Sequence, residues 1–165
     1  MIFLTVGNEL PFPRLVQAVD SWCEKNGNCS VFGQIGPVGP NGYRPRHFEW
    51  EEFISPQQYH EMCDEADLII AHAGMGSIIT ALELSTPVLI LARLAVFQEH
   101  RNDHQVATAR RFSARKGVLV AEDEHAVAGM IDSWNASRDV VETETVEPYA
   151  EERLIRVIRD FILNS

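Results

Sequence analysis

Asp67-Leu68-Ile69-Ile70-Ala71-His72-Ala73-Gly74-Met75-Gly76-Ser77-Ile78-Ile79-Thr80-Ala81-Leu82-Glu83-Leu84 is a short apolar run that stops at a glycine-bearing turn and resumes with apolar residues at helical spacing. The spacing predicts a buried strand over Asp67–Ala71 and a helix over Ser77–Leu84. A strand passing straight into a helix through glycine is the repeating unit of a parallel α/β sheet. Outward from it the same alternation recurs. Toward the N-terminus the strands are Ile2–Val6, Ser30–Ile35 and a short His47–Trp50. The helices there run from Pro13 to Lys25, with Leu15, Val16, Val19 and Trp22 on one side, and onward from Ser55-Pro56, a capping serine before a proline at the first helical position. Toward the C-terminus follow strand Pro87–Ala92, helix Asp103–Arg115 stopped at Gly117, strand Gly117–Val120 and helix Asp123–Trp134.

The expected fold class is therefore α/β, a single Rossmann-like domain with a parallel sheet over residues 1–134. Residues 135–147 lose the apolar pattern and gather Asp139, Glu142, Glu144 and Glu147, which predicts an acidic linker. Residues 148–165 predict a C-terminal amphipathic helix carrying Leu154, Ile155, Val157, Ile158, Phe161 and Ile162. That helix could pack on another chain or back on its own sheet. The stretch from Gly36 to Pro45 is so dense in glycine and proline that it reads as a long loop.

Composition narrows the function classes. Of the 165 residues, 24 are acidic and 14 basic, a formal charge of −10, so the surface repels polyanions and broad nucleic-acid binding is disfavoured. The apolar runs are far shorter than the roughly 18 residues that span a bilayer, and Met1-Ile2-Phe3-Leu4 lacks the basic start of a secretory signal. A cytoplasmic protein with reduced thiols is expected, since Cys23, Cys29 and Cys63 are odd in number and show no C-x-x-C spacing.

The turn at Gly74–Ser77 is the first candidate site. Glycines allow close backbone approach, and the first free N–H groups of a helix point at whatever lies above the strand end, a place suited to a diphosphate. A tight turn with no ligand is the plainer alternative. Thr5-Val6-Gly7-Asn8 offers a second, weaker nest. The run Glu99-His100-Arg101-Asn102-Asp103-His104-Gln105 places many hydrogen-bonding groups at a helix start, as a sugar would require. His100 and His104, four apart, invite a zinc reading, but no third ligand is evident and no metal is expected. Ser77 follows the second glycine of Gly-Met-Gly-Ser-Ile, so it is not a G-x-S-x-G nucleophile elbow. A Gly-Lys-Ser/Thr ending, which ATPase chemistry would need, is absent from the glycine-rich loop.

Taken in order, Thr5-Val6-Gly7, Phe53-Ile54, Ala66 to Ser77, Pro87 and Asn102-Asp103-His104-Gln105 resemble the C-terminal, donor-binding domain of glycosyltransferase family 28. The resemblance covers roughly residues 1–134. It implies the C-terminal half of a GT-B glycosyltransferase and is similar to the small catalytic subunit of split two-component UDP-sugar glycosyltransferases, of exopolysaccharide, capsule or dolichol-linked oligosaccharide type. By matching position, Gly7, Gly74, Met75, Gly76 and Ser77 would hold the donor diphosphate. Phe53, Ile54 and Thr80 would lie at uracil and ribose, and Asn102, His104 and Gln105 at the donor sugar. Many relatives carry an acid for the ribose where Thr80 stands here; Glu83, one turn on, is the other candidate.

The resemblance further implies an inverting transfer of a hexose-type sugar from a UDP-sugar to a lipid-linked saccharide acceptor, with no cofactor. The catalytic base would come from a membrane-anchored, acceptor-binding partner subunit, to which this chain would be peripheral. A non-catalytic nucleotide-sugar-binding regulatory subunit on the same fold is the alternative. A sugar-nucleotide epimerase shares the fold but would need a second domain. The loop Pro40–Arg46, with Tyr43, Arg44 and Arg46, could cover the donor, touch acceptor phosphates or simply be mobile.

Overall fold

The computed structural model describes residues 1–27, 29–138 and 143. Six strands, β1 (Ile2–Thr5), β2 (Val31–Gln34), β3 (Glu49–Glu51), β4 (Leu68–His72), β5 (Val88–Leu91) and β6 (Val118–Ala121), form one sheet in the order β3-β2-β1-β4-β5-β6. Every neighbouring pair is parallel; Leu4, for example, sits between Gly33 of β2 and Ile70 of β4. The chain winds outward from β1 in one direction and from β4 in the other. Their C-terminal ends therefore diverge into a crevice, where open α/β sheets bind ligands.

The helices are α1 (Pro13–Asn26), α2 (Pro56–Glu65), α3 (Met75–Glu83), α4 (His104–Phe112) and α5 (Glu124–Ala136), with a 3-10 turn at Ala95–Phe97. Alternate strand side chains face opposite ways, so the sheet has two cores. Ile2, Leu4, Leu68, Ile70, Leu89 and Leu91 pack with Leu15, Val19 and Trp22 of α1 and Val127, Ile131 and Trp134 of α5. Phe3, Ile69, Ala71, Val88 and Ile90 pack with Cys63 of α2, Ile78 and Leu82 of α3 and Ala109 of α4. Strands covered on both faces need continuous apolar runs, and that is how β4 and β5 read.

Several expected boundaries shift. Helix α3 starts at Met75, two residues before the expected Ser77, because Gly74 takes the N-cap position without offering a side-chain signal. Helix α4 stops at Phe112, three residues short of the expected Arg115. Helix α5 runs to Ala136, two residues into the expected linker. The rest of the 135–147 linker, except 137, 138 and 143, and the whole 148–165 helix lie outside the described residues. Helix α2 has the expected cap in full: Gln58 N–H donates to Ser55 Oγ, and the Gln58 side chain accepts from Ser55 N–H.

The glycine- and proline-rich loop is held at its far end, contrary to the mobile-loop reading. Buried Asp20 of α1 accepts from Tyr43 Oη, from Arg46 N at 3.0 Å and from His47 N at 2.8 Å. Tyr43 and Val38 pack on the α1 core. Among the described residues no helix is long and apolar enough to cross a membrane.

Candidate functional site

The crevice has a floor and two walls. Its floor is His72, the last residue of β4, whose imidazole lies between two glycines. A Cβ on Gly74 would sit 2.3 Å from His72 Nε2, and one on Gly7 would sit 3.0 Å from Cε1. Gly7 also has φ +77°, a conformation that disfavours a side chain. Gln34, buried at the end of β2, secures this turn by donating from Nε2 to Gly7 O at 3.2 Å and Asn8 Oδ1 at 2.7 Å, while Thr5 Oγ1 donates to Gln34 Oε1 at 2.7 Å. The Gly7 N–H faces the Thr5 hydroxyl at 3.5 Å, so packing against His72 already accounts for this glycine.

Buried His72 Nδ1 has no hydrogen-bond partner among the described residues. Burial, and then the nearby positive charge of Arg93, push its pKa down to about 4, so the imidazole is neutral at physiological pH. In the sequence His72 stands only as one residue of a motif. Its burial against two glycines separated by 67 positions becomes evident only in three dimensions.

The first wall is the start of α3. Gly74 caps it without a side-chain hydrogen bond, and the N–H groups of Met75, Gly76 and Ser77 precede the first intrahelical bond, Ile78 N to Gly74 O at 3.3 Å. Four of the five residues expected at the diphosphate, Gly74 to Ser77, thus stand together, while Gly7 lies across the His72 ring from them. Gly74 and Gly76 differ sharply, since a Cβ on Gly76 would meet nothing within 4 Å. Ser77 is buried, and Tyr59 Oη of α2 donates toward its Oγ at 3.5 Å. Burial raises the Tyr59 pKa to about 12, which keeps this phenol a neutral donor. Tyr59 was not found from the sequence, where it looks like one more core aromatic.

Thr80 is half-buried one turn along α3, about 4.5 Å of helix rise beyond Ser77, whereas exposed Glu83 is about 9 Å beyond. Phe53 and Ile54 lie between β3 and α2. Ile54 packs on the same apolar cluster as Tyr59 and Ile78 and lines a cavity of about 790 Å³ with Phe32, Phe48 and Met62. Phe53 is half exposed.

The second wall, the segment from Arg93 into α4, is bonded internally. Buried Arg93 donates from Nη1 to Pro11 O at 2.7 Å and Glu99 O at 3.3 Å, and from Nη2 to Val6 O at 2.8 Å and Leu10 O at 2.7 Å. Its guanidinium lies 4.8 Å from the centre of the Phe12 ring. Burial lowers its pKa to about 10, so it stays charged. Glu99, expected to be one of the sugar-facing polar residues, instead turns inward. Its carboxylate accepts two bonds from Arg14, each 2.9 Å, and one from Leu94 N at 2.9 Å, and Arg14 also donates to Glu124 at 2.8 Å.

Of the expected sugar ligands, Gln105 is buried and accepts from Arg93 N through Oε1 at 3.1 Å. Asn102 Oδ1 contacts His104 Nδ1 and accepts from His104 N at 3.3 Å. The His100 and His104 rings meet edge to face at 4.4 Å. Among the described residues no group of three or more His, Cys, Asp or Glu is placed to hold a metal. Cys23 and Cys63 are buried and Cys29 half-buried, all free thiols.

The sequence pattern described as Glycosyltransferase family 28 C-terminal domain matches residues 1–145. The chain belongs to that family. Within this glycosyltransferase family, it is 26% identical over 173 residues to the UDP-N-acetylglucosamine transferase subunit ALG13 of Yarrowia lipolytica, covering 98% of this chain and 84% of that protein. The NMR solution structure of ALG13 superposes with a TM-score of 0.57 at 22% identity, covering 95% of this chain and 93% of that one. The UDP-GlcNAc 2-epimerase of Neisseria meningitidis bound to UDP-GlcNAc superposes with a TM-score of 0.63 at 13% identity, covering 99% of this chain but 44% of the epimerase. Both likenesses establish the α/β fold of a GT-B C-terminal half. Fold alone does not separate a transferase from an epimerase; the family match does.

Proposed function

We propose that this chain is the donor-binding subunit of an inverting glycosyltransferase that transfers a hexose-type sugar, with N-acetylglucosamine the leading candidate, from its UDP derivative to a lipid-linked saccharide acceptor. The observation that carries the reading is the start of α3: three backbone N–H groups at the switch-point crevice, with a glycine at Gly76 that the protein's own packing does not require. An anion held there gains from the positive end of the helix and from preorganised donors. Family membership gives the anion its chemical class, a nucleotide-sugar diphosphate. The relation to an N-acetylglucosamine transferase subunit favours that sugar.

In the reaction, the bond from the anomeric carbon to the β-phosphate oxygen breaks while the acceptor hydroxyl oxygen bonds that carbon from the opposite face. The acceptor proton passes to a base, and UDP leaves with the bonding electrons. Here the chain contributes at the leaving group. The N–H groups of Met75, Gly76 and Ser77 meet the charge that grows on the diphosphate, and neutral His72 lies beneath them as a further hydrogen-bonding group. Uracil rests by Phe53 and Ile54 and the ribose by Thr80, which lies nearer the helix start than Glu83. Asn102 and His104 face the sugar, and buried Gln105, its Oε1 held by Arg93 N–H, backs them with only its Nε2 left to donate.

The base and the acceptor site belong to a membrane-associated partner subunit, which also holds this chain at the membrane. UDP at millimolar concentration should raise the melting temperature by several degrees and ADP by much less. Transfer activity should appear only when the partner is added. Failure of UDP and of UDP-sugars to shift the melting temperature would sink the reading. Unimpaired polysaccharide synthesis after His104→Ala, with the partner present, would favour a regulatory subunit instead.

A further inference from the structure

Arg93 is a buried cation with an unusual set of partners. Among the described residues no carboxylate touches it; Glu99 offers its backbone carbonyl, while the Glu99 side chain is taken by Arg14 and Leu94 N. Its four guanidinium acceptors among the described residues are all backbone carbonyls, and they come from two separate loops. Val6, Leu10 and Pro11 belong to the segment after β1, and Glu99 belongs to the segment after β5. A buried guanidinium costs several kcal/mol of desolvation that hydrogen bonds must offset. A leucine or methionine could fill the space without that cost, but could not tie carbonyls from both loops to one rigid plane.

The same residue acts a third time through its backbone, since Arg93 N–H holds Gln105 Oε1 at 3.1 Å. Three parts of the crevice rim thus converge on one residue: the Gly7–Pro11 loop that packs on His72, the 94–99 turn, and the first turn of α4 with Gln105. By contrast, among the described residues Arg93 makes no hydrogen bond to α2 or α3, the elements proposed to hold uracil and diphosphate; it reaches that side only through space, toward His72.

We propose that Arg93 is a positioning residue for the donor sugar: its guanidinium and backbone N–H join the loops after β1 and β5 to α4, and so fix the wall that discriminates UDP-sugar from UDP. This inference rests on the donor-site reading above. Arg93→Lys keeps the charge but cannot reach four carbonyls in one plane. It should weaken UDP-N-acetylglucosamine binding by roughly tenfold, the scale of losing one or two charge-assisted hydrogen bonds, while UDP binding stays within about twofold. In the presence of the partner, kcat should fall with it. Glu124→Gln, which removes only the negative charge from the outer Arg14 contact, serves as the control: some stability is lost and the ratio of the two affinities is kept. Pro11→Gly loosens the clamped loop while leaving Arg93 intact, and should lower the same ratio; it carries the test even if Arg93→Lys fails to fold. Equal losses for UDP and UDP-sugar in the folded Arg93→Lys variant would show a merely structural role and overturn the proposal. So would an unchanged ratio in Pro11→Gly. If the unaltered protein binds neither ligand, the donor-site reading falls first and this inference with it.

Discussion

The two walls of the crevice satisfy their polar groups in opposite ways. From Arg93 to Gln105 nearly every polar group turned inward is used by the protein itself: Arg93 on four carbonyls, Glu99 on Arg14 and Leu94 N, Asp103 Oδ1 on Ala95 N, and Gln105 on Arg93 N. At Gly74–Ser77 the backbone donors at the helix start have no side-chain cap. A wall that is internally bonded serves as a scaffold, and one that leaves its donors open is suited to an anion. The glycines make the same division. Gly7 and Gly74 are required by the His72 ring, whereas Gly76 has open space where a side chain would go. In a helix, glycine costs about 1 kcal/mol relative to alanine, so its use at 76 calls for a reason outside the fold.

The bonded wall breaks most severely at Arg14. Arg14 and Glu99 are 11% and 7% exposed, so Arg14→Met leaves a buried carboxylate with Leu94 N–H as its remaining hydrogen bond among the described residues. The expected loss is about 3–5 kcal/mol, read as a drop in the denaturation midpoint. A loss below about 1 kcal/mol would mean that this wall is not held by its charges.

His72 sets the next largest effect, through pH. An imidazole titrates near 6.5 in the unfolded chain and near 4 here. Between those values the unfolded state takes up the proton and the folded state does not. Stability contributed by the neutral ring is therefore complete above pH 6.5 and falls as the pH drops toward 4, by about 3 kcal/mol in all. Asp67 and Glu124, whose pKa values are lowered by the N-terminal amine and by Arg14, lose their contributions at the acid end of this range and below it. Denaturation at pH 7, 5.5 and 4.5 should show the decline in the unaltered protein and a flatter profile in His72→Gln. Parallel profiles would remove His72 from this role.

Gly74→Ala is the next step down. The added methyl would meet a ring already confined by Gly7, at a cost of about 1–3 kcal/mol. Because the clash displaces the floor of the crevice, UDP binding should fall along with stability. Retained stability with lost binding would assign Gly74 to the ligand instead of to His72.

Much of the fold was legible because strands covered on both faces must be apolar runs. Strands β1, β2, β4 and β5 fall within one residue of the expected boundaries at each end. Helix α3 begins two residues before its expected start because a glycine N-cap carries no side-chain signature. The turn at Gly74–Ser77 is legible as a glycine-bearing helix start because its residues are contiguous. The scaffold wall was not. Arg14 and Glu99 are 85 positions apart, Arg93 and Leu10 83, and Tyr43 and Asp20 23. A charged residue whose partner is that distant reads as a solvated surface group, so the sequence shows Glu99 only as the first of a polar run suited to a sugar, and the Pro40–Arg46 loop without its anchor on Asp20.

The most direct test of the central claim is Gly76→Ala, measured for melting temperature and for UDP affinity in the same preparation. The expected result is an unchanged or slightly higher melting temperature, since the methyl enters open space and alanine favours the helix. UDP binding should meanwhile weaken about tenfold or more, the effect of one added methyl against a fitted ligand. Full UDP affinity in the folded variant would contradict the claim that the start of α3 holds the donor diphosphate.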